Sequence, residues 1–153
     1  MLKEGDKAPN FKGKDQNGNT VKLADFKGKR LALYFYPKDD TPGCTKQACS
    51  LRDADDIFSE KDIKVLGVSI DDETSHQKFI SKFQLPFDLI ADTDKKIVED
   101  YGVWGEKSMY GRKYMGTLRK TFLIDEKGKI VKIFDKVKVA EHAAEVLKAF
   151  GEK

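Results

Sequence analysis

A chain of 153 residues, 39% hydrophobic and 36% charged, is long enough for one domain with a buried core under a charged surface. Its 29 basic and 26 acidic residues are interspersed, and a formal charge of +3 without a basic block argues against a nucleic-acid binder. No apolar run approaches the length that crosses a bilayer, and Met1-Leu-Lys-Glu-Gly-Asp6 lacks signal-peptide character, so the expected location is the cytoplasm.

Asn17-Gly18 is a type I′ turn signal between two polar extended segments, which predicts a small N-terminal hairpin over residues 10–23. Lys27-Gly28-Lys29 leads into Arg30–Tyr36, a short apolar run typical of a strand buried on both faces. Over residues 43–59, Ala48, Leu51, Ala54, Ile57 and Phe58 recur at helical spacing. Ile63–Ile70 reads as the next strand. Asp71-Asp72-Glu73 then supplies acidic residues for a helix start, and Phe79, Ile80 and Phe83 carry that helix to about residue 84. Pro86 breaks it before a third strand, Phe87–Ala91. A brief helix at 95–101 precedes Gly102–Gly116, which is rich in glycine and aromatics and reads as a loop. Leu118–Ile124 and Lys129–Phe134 form a hairpin across Asp125-Glu-Lys-Gly128. The chain closes with a helix over 140–150, whose apolar face is Ala143, Val146, Leu147 and Phe150. The alternation β-α-β-α-β, then a hairpin and a helix, predicts an α/β sandwich with a central mixed sheet, in one domain over residues 1–153.

Both cysteines of the chain, Cys44 and Cys49, lie behind the turn Thr41-Pro42-Gly43. A cytosolic chain does not use two cysteines as a structural staple, because that compartment keeps thiols reduced. Nor do they make a zinc spacing with His76 and His142, which sit inside charged helical patterns and read as ordinary helix residues. Cys44 falls in the first turn of its helix, with Pro42 suited to the helix start. Unpaired backbone N–H groups and the positive end of the helix dipole favour the thiolate there, and the thiolate is the nucleophile. The plain alternative is a small buried apolar residue. Cys49 stands five positions on, which in an ideal helix puts the Cα atoms about 8–9 Å apart on different faces. A disulfide needs less than about 7 Å. The pair cannot bond in an intact helix, but could if its first turns unwind.

Pro37-x-x-x-Thr41-x-x-Cys44 resembles the active-site motif of peroxiredoxins. The fuller run from Tyr34 to Cys49 is similar to the bacterioferritin comigratory protein, or peroxiredoxin Q, branch, which places its second cysteine five residues on. The resemblance extends to Gly5-Asp-Lys-Ala-Pro9, Tyr101-Gly-Val-Trp-Gly-Glu-Lys107 and Leu118-Arg119-Lys-Thr-Phe-Leu-Ile-Asp125, nearly the whole chain. It implies a thioredoxin-like fold and a thiol-dependent peroxidase for hydrogen peroxide and organic hydroperoxides, with no cofactor and no metal. Cys44 would become a sulfenic acid, be resolved as an intramolecular Cys44–Cys49 disulfide, and be recycled by thioredoxin or a glutaredoxin-like dithiol donor. It also implies that Thr41 places its hydroxyl near sulfur and peroxide, although a helix N-cap would suit that residue equally. Arg119 would pair with the thiolate, and Pro37 would shield it from water. A monomer is the simplest state, with a dimer open. Gln47, where many peroxiredoxins carry glutamate, receives no catalytic role. The loop aromatics Tyr101, Trp104, Tyr110 and Tyr114 fit plain packing better than a substrate pocket. Two rivals are weaker. A protein thiol–disulfide oxidoreductase usually carries Cys-x-x-Cys, absent here, and a redox-sensing module needs no Thr41 and Arg119 together.

Overall fold

In the computed structural model, which describes residues 1–151, strands β1 (Lys12–Lys14) and β2 (Thr20–Lys22) form the expected antiparallel N-terminal hairpin. Its turn is not type I′, because Gly18 takes a positive φ of 80° and Asn17 does not. The Asp15 carboxylate instead accepts the N–H groups of Asn17 and Asn19, at 2.8 and 2.9 Å, and so holds a longer loop. A 3-10 turn at Leu23–Phe26, which no apolar period announces, leads to β3 (Arg30–Phe35).

The apolar run of β3 is buried on both faces. Ala32, Tyr34 and Tyr36 enter one core cluster, while Leu31, Leu33 and Phe35 enter another across the sheet. Helix α1 (Pro42–Asp53) follows, then a bend at Ala54 and helix α2 (Asp55–Glu60), where the sequence predicts one helix over 43–59. The bend turns Phe58 into the core at 1% exposure and leaves Ile57 outside at 43%, against the helical spacing. Strand β4 (Ile63–Ser69) pairs parallel with β3 and places Gly67 opposite Tyr34. A Cβ at Gly67 would stand 2.6 Å from Leu89 and 2.9 Å from the Tyr34 ring, so glycine lets that ring lie close over β4.

Helix α3 (Glu73–Phe83) begins at Asp72, whose carboxylate accepts the Ser75 N–H at 2.8 Å. Strand β5 (Asp88–Ala91) and helix α4 (Lys96–Asp100) follow as expected. The predicted loop 102–116 is instead a hairpin, β6 (Trp104–Met109) with β7 (Arg112–Thr117), a two-stranded sheet of its own. Strands β8 (Lys120–Ile124) and β9 (Ile130–Phe134) form the second predicted hairpin. A 3-10 turn at Val139–Glu141 and helix α5 (His142–Ala149) close the described chain.

The main sheet has seven strands in the order β2-β1-β5-β4-β3-β8-β9. β3, β4 and β5 run parallel, and β1 and β8 join them antiparallel, which is the mixed sheet the sequence predicts. Helices α1, α2, α3 and α5 contribute to the core on one face, and α4 packs on the other. Leucines as buried as Leu31, Leu33 and Leu89 each hold about 2–5 kcal/mol against truncation. Among the described residues, no helix is long and apolar enough to cross a membrane.

Candidate active site

Cys44 sits where central strand β3 hands the chain to α1. Pro42 occupies the first helical position, so Cys44 falls two residues later, in the first turn. The Thr45 N–H bonds the Thr41 carbonyl at 2.8 Å and closes that turn. Thr41 stands at the N-cap by backbone conformation, but its hydroxyl caps nothing: it donates to the Lys38 carbonyl at 2.9 Å. The first-turn N–H groups of Gly43 and Cys44 therefore have no side-chain cap, and the positive end of the helix dipole falls in the turn that carries Cys44. Cys44 is 1% exposed and Cys49 partly buried, both as free thiols on α1, with the intact helix holding them apart.

Arg119 lies just before β8 rather than inside a strand, and it points inward. Its Nη2 donates to Cys44 Sγ at 3.3 Å, and its Nη1 donates to Gln47 Oε1 at 2.6 Å. Gln47 is fully buried, and it fixes the guanidinium by accepting one arm of the fork. The sequence alone assigns Gln47 no role. Its spacing of three from Cys44 placed it on the same helix face, one turn on, and was the available signal. A Cβ at Gly43 would stand 3.1 Å from Arg119 Nη2, so the glycine before the cysteine clears the path for the guanidinium.

Lys107 on β6 brings a second cation near the sulfur. Its ammonium donates to the Thr117 carbonyl at 3.1 Å. Burial and then the Arg119 charge push its pKa down, while Cys44 pulls the other way. Tyr34, across the same core, has its phenol pushed well up by burial first and by the Cys44 charge second. Pro37, half-buried, follows Tyr36 at the end of β3.

Both histidines are helix residues, as the sequence predicts, His76 on α3 and His142 on α5, but both are fully buried and hydrogen-bonded. His142 bonds Thr121 Oγ1 at 2.8 Å and Glu145 Oε1 at 2.9 Å. Burial pushes its pKa down, opposed by Glu145. His76 lies against Asp39, 2.7 Å away. Of the aromatics, Tyr101 packs in the core and donates to the Pro9 carbonyl at 2.6 Å, and Trp104 lies under the Lys95 ammonium, 4.9 Å from its ring centroid. Tyr110 and Tyr114 are exposed on the β6–β7 hairpin.

The family model described as AhpC/TSA matches residues 4–133. Over 143 residues the chain is 50% identical to peroxiredoxin Bcp of Bacillus subtilis strain 168, covering 94% of this chain and 91% of that one. The structure of a cysteine-to-serine variant of PrxQ from Xylella fastidiosa superposes with a TM-score of 0.92 at 34% identity, covering 99% and 96% of the two chains. The bacterioferritin comigratory protein of Xanthomonas campestris, solved in connection with its alkyl peroxide reduction activity, gives 0.86 at 37% identity, covering 92% and 90%.

Proposed function

The chain belongs to the AhpC/TSA family, in its Bcp/peroxiredoxin Q branch of thiol peroxidases with a thioredoxin-like fold, and on that premise we propose that Cys44 is the peroxidatic nucleophile and Cys49 its resolving partner. The observation that carries the assignment is the Arg119 guanidinium 3.3 Å from Cys44 Sγ, at the start of α1.

The Cys44 thiolate attacks the distal peroxide oxygen and the O–O bond breaks. The leaving alkoxide or hydroxide takes up a proton, and the sulfur is oxidised to sulfenic acid. Arg119 and the uncapped N–H groups stabilise charge as it moves from sulfur to the leaving oxygen. Thr41 turns its hydroxyl from Lys38 to the peroxide, and Pro37 screens the sulfur from water. The Cys49 thiolate then attacks the Cys44 sulfur and displaces hydroxide, which takes up a proton to leave as water, and the disulfide passes to an external dithiol, which is oxidised in turn. We assign that donor to thioredoxin or a glutaredoxin-like protein, in the cytoplasm, with the chain acting as a single-domain monomer. The cycle as written needs no cofactor. Hydrogen peroxide and organic hydroperoxides are the substrates, the latter supported by the alkyl peroxide activity named for the Xanthomonas relative.

Arg119→Met keeps length and removes charge. The second-order rate with peroxide should fall by roughly 10²-fold, as for loss of one preorganised stabiliser. Stopped-flow oxidation of the reduced protein measures it, and an unchanged rate would remove Arg119 from the site.

The resolving step demands that α1 open. Unwinding its first turns gives up a few backbone hydrogen bonds, each worth about 1 kcal/mol net, which local fluctuation supplies. Oxidation with one equivalent of hydrogen peroxide should give a Cys44–Cys49 bridge within one chain, together with faster hydrogen exchange over residues 43–50. A bridge between two chains, or a helix still fully protected after oxidation, would overturn the scheme.

A further inference from the structure

Asp39, between Pro37 and Thr41 of the motif, is a carboxylate only 8% exposed. Its Oδ1 accepts the Tyr36 hydroxyl at 2.5 Å, and its Oδ2 accepts the Ser75 hydroxyl at 2.7 Å. His76 Nδ1 lies 2.7 Å from the same Oδ2. The Asp39 N–H donates to Asp71 Oδ2 at 2.8 Å, an oxygen that also accepts the Ser69 hydroxyl at 2.7 Å. The second ring nitrogen of His76, Nε2, is 2.9 Å from the Ile90 carbonyl. A carbonyl only accepts, so Nε2 carries a proton. Nδ1 faces a carboxylate and carries one too, which makes His76 a buried imidazolium paired with Asp39.

The surroundings agree with that charge. Burial opposes the cation, but the Asp39 bond and charge, the Ile90 carbonyl and the Asp71 charge outweigh it and raise the His76 pKa. Those groups come from every side of the ring: the motif loop, the β4–α3 connection and β5. The ligand atoms of Asp39, Asp71 and His76 lie within 4.8 Å of one another, but their hydrogen bonds close on each other and on Tyr36, Ser69, Ser75 and Ile90. They form a clamp.

The clamp ends abruptly. Asp40, the next residue, has a φ of 55°, the left-handed region that a non-glycine residue enters at a cost of about 1 kcal/mol or more. Among the described residues its side chain pairs with the exposed Lys82 ammonium, 2.8 Å away, a pair worth little. From Thr41 onward the chain belongs to the helix start that must unwind. We propose that the Asp39–His76 pair is the fixed end of the hinge on which α1 opens, holding Pro37–Asp39 to β4, β5 and α3 while Asp40–Cys49 rearranges. The inference rests on the assignment of Cys44 and Cys49 given above. By holding the residues that seed α1, the pair favours the closed helix. It thereby sets how the Cys44 sulfenic acid divides between two fates: condensation with the Cys49 thiol, which releases water, and attack on a second peroxide, which leaves sulfinic acid and an alcohol or water. Both residues are positioning residues, since neither touches the sulfur.

The test is single-turnover oxidation by hydrogen peroxide of the wild type, His76→Gln and Ser75→Ala, with mass spectrometry counting disulfide against sulfinic acid at each peroxide concentration. Circular dichroism shows which variants fold. Loss of the buried cation should raise the disulfide-to-sulfinic ratio by roughly tenfold in His76→Gln, and Ser75→Ala, which keeps the ion pair, should shift it less and in the same direction. The wild-type ratio should rise as pH climbs through the raised His76 pKa and the imidazolium is lost. The His76→Gln ratio should lack that component. A folded His76→Gln with the wild-type ratio and pH profile overturns the proposal. If that variant does not fold, an unshifted ratio in Ser75→Ala overturns it. A wild type that forms no Cys44–Cys49 bridge would instead refute the resolving assignment, which the same spectra read separately.

Discussion

Cys44→Ser is expected to abolish peroxide turnover, by about 10³-fold or more, as for removal of a covalent nucleophile. A serine hydroxyl is not appreciably ionised near neutral pH, so neither Arg119 nor the uncapped N–H groups of α1 have an anion to hold. The exchange is nearly isosteric at a site 1% exposed, so the helix and its contacts should persist and the loss should be chemical. Steady-state consumption of hydrogen peroxide with thioredoxin as donor measures it. Retention of a tenth of wild-type turnover would move the nucleophile to Cys49, the remaining thiol of the chain.

Cys49→Ser should fail differently. Its first oxidation should run at the wild-type rate, because Cys49 takes no part in the bond from sulfur to oxygen. The sulfenic acid then has no partner within the chain. With thioredoxin as donor, roughly one peroxide per chain should be reduced before turnover stalls, and further peroxide should convert Cys44 to sulfinic acid. Cys49 is only partly buried, so serine should be tolerated there. Sustained cycling of this variant at the wild-type rate would show that thioredoxin attacks the sulfenic acid directly, and Cys49 would then not be the resolving thiol.

How much of this was legible in the sequence depended on how local each cause was. The run Arg30–Tyr36 announced a central strand because both its faces are buried. The β6–β7 hairpin was missed for the opposite reason: most of it faces solvent, so it carries no alternation, and its strands pair only with each other. The bend at Ala54 is a tertiary choice that buries Phe58, invisible to a helical period that also accepts Ile57. At the candidate site, Pro37, Thr41, Cys44 and Cys49 lie close together in the chain, so they could be read as a motif from the sequence. For Gln47 only its helix face was readable, through its spacing from Cys44; its contact was not, because Arg119 is 72 positions away. The burial of His76 and His142 likewise depends on Asp39 and Thr121, at separations of 37 and 21.

The two-armed grip of Arg119 has a consequence for timing. Nη2 holds the sulfur of Cys44 and Nη1 holds Gln47 one turn further on, so the guanidinium spans the part of α1 that the proposed resolving step opens. One arm meets a neutral amide, whose charge state the oxygen transfer does not change. Both bonds have a cationic donor, but the second is an ion pair as well only while the sulfur is a thiolate. Once oxygen is transferred and the sulfur is a neutral sulfenic acid, that arm loses its excess hold. On the proposed cycle the reaction thus weakens the tether that keeps the helix shut, and opening becomes easier only after there is a sulfenic acid for Cys49 to meet.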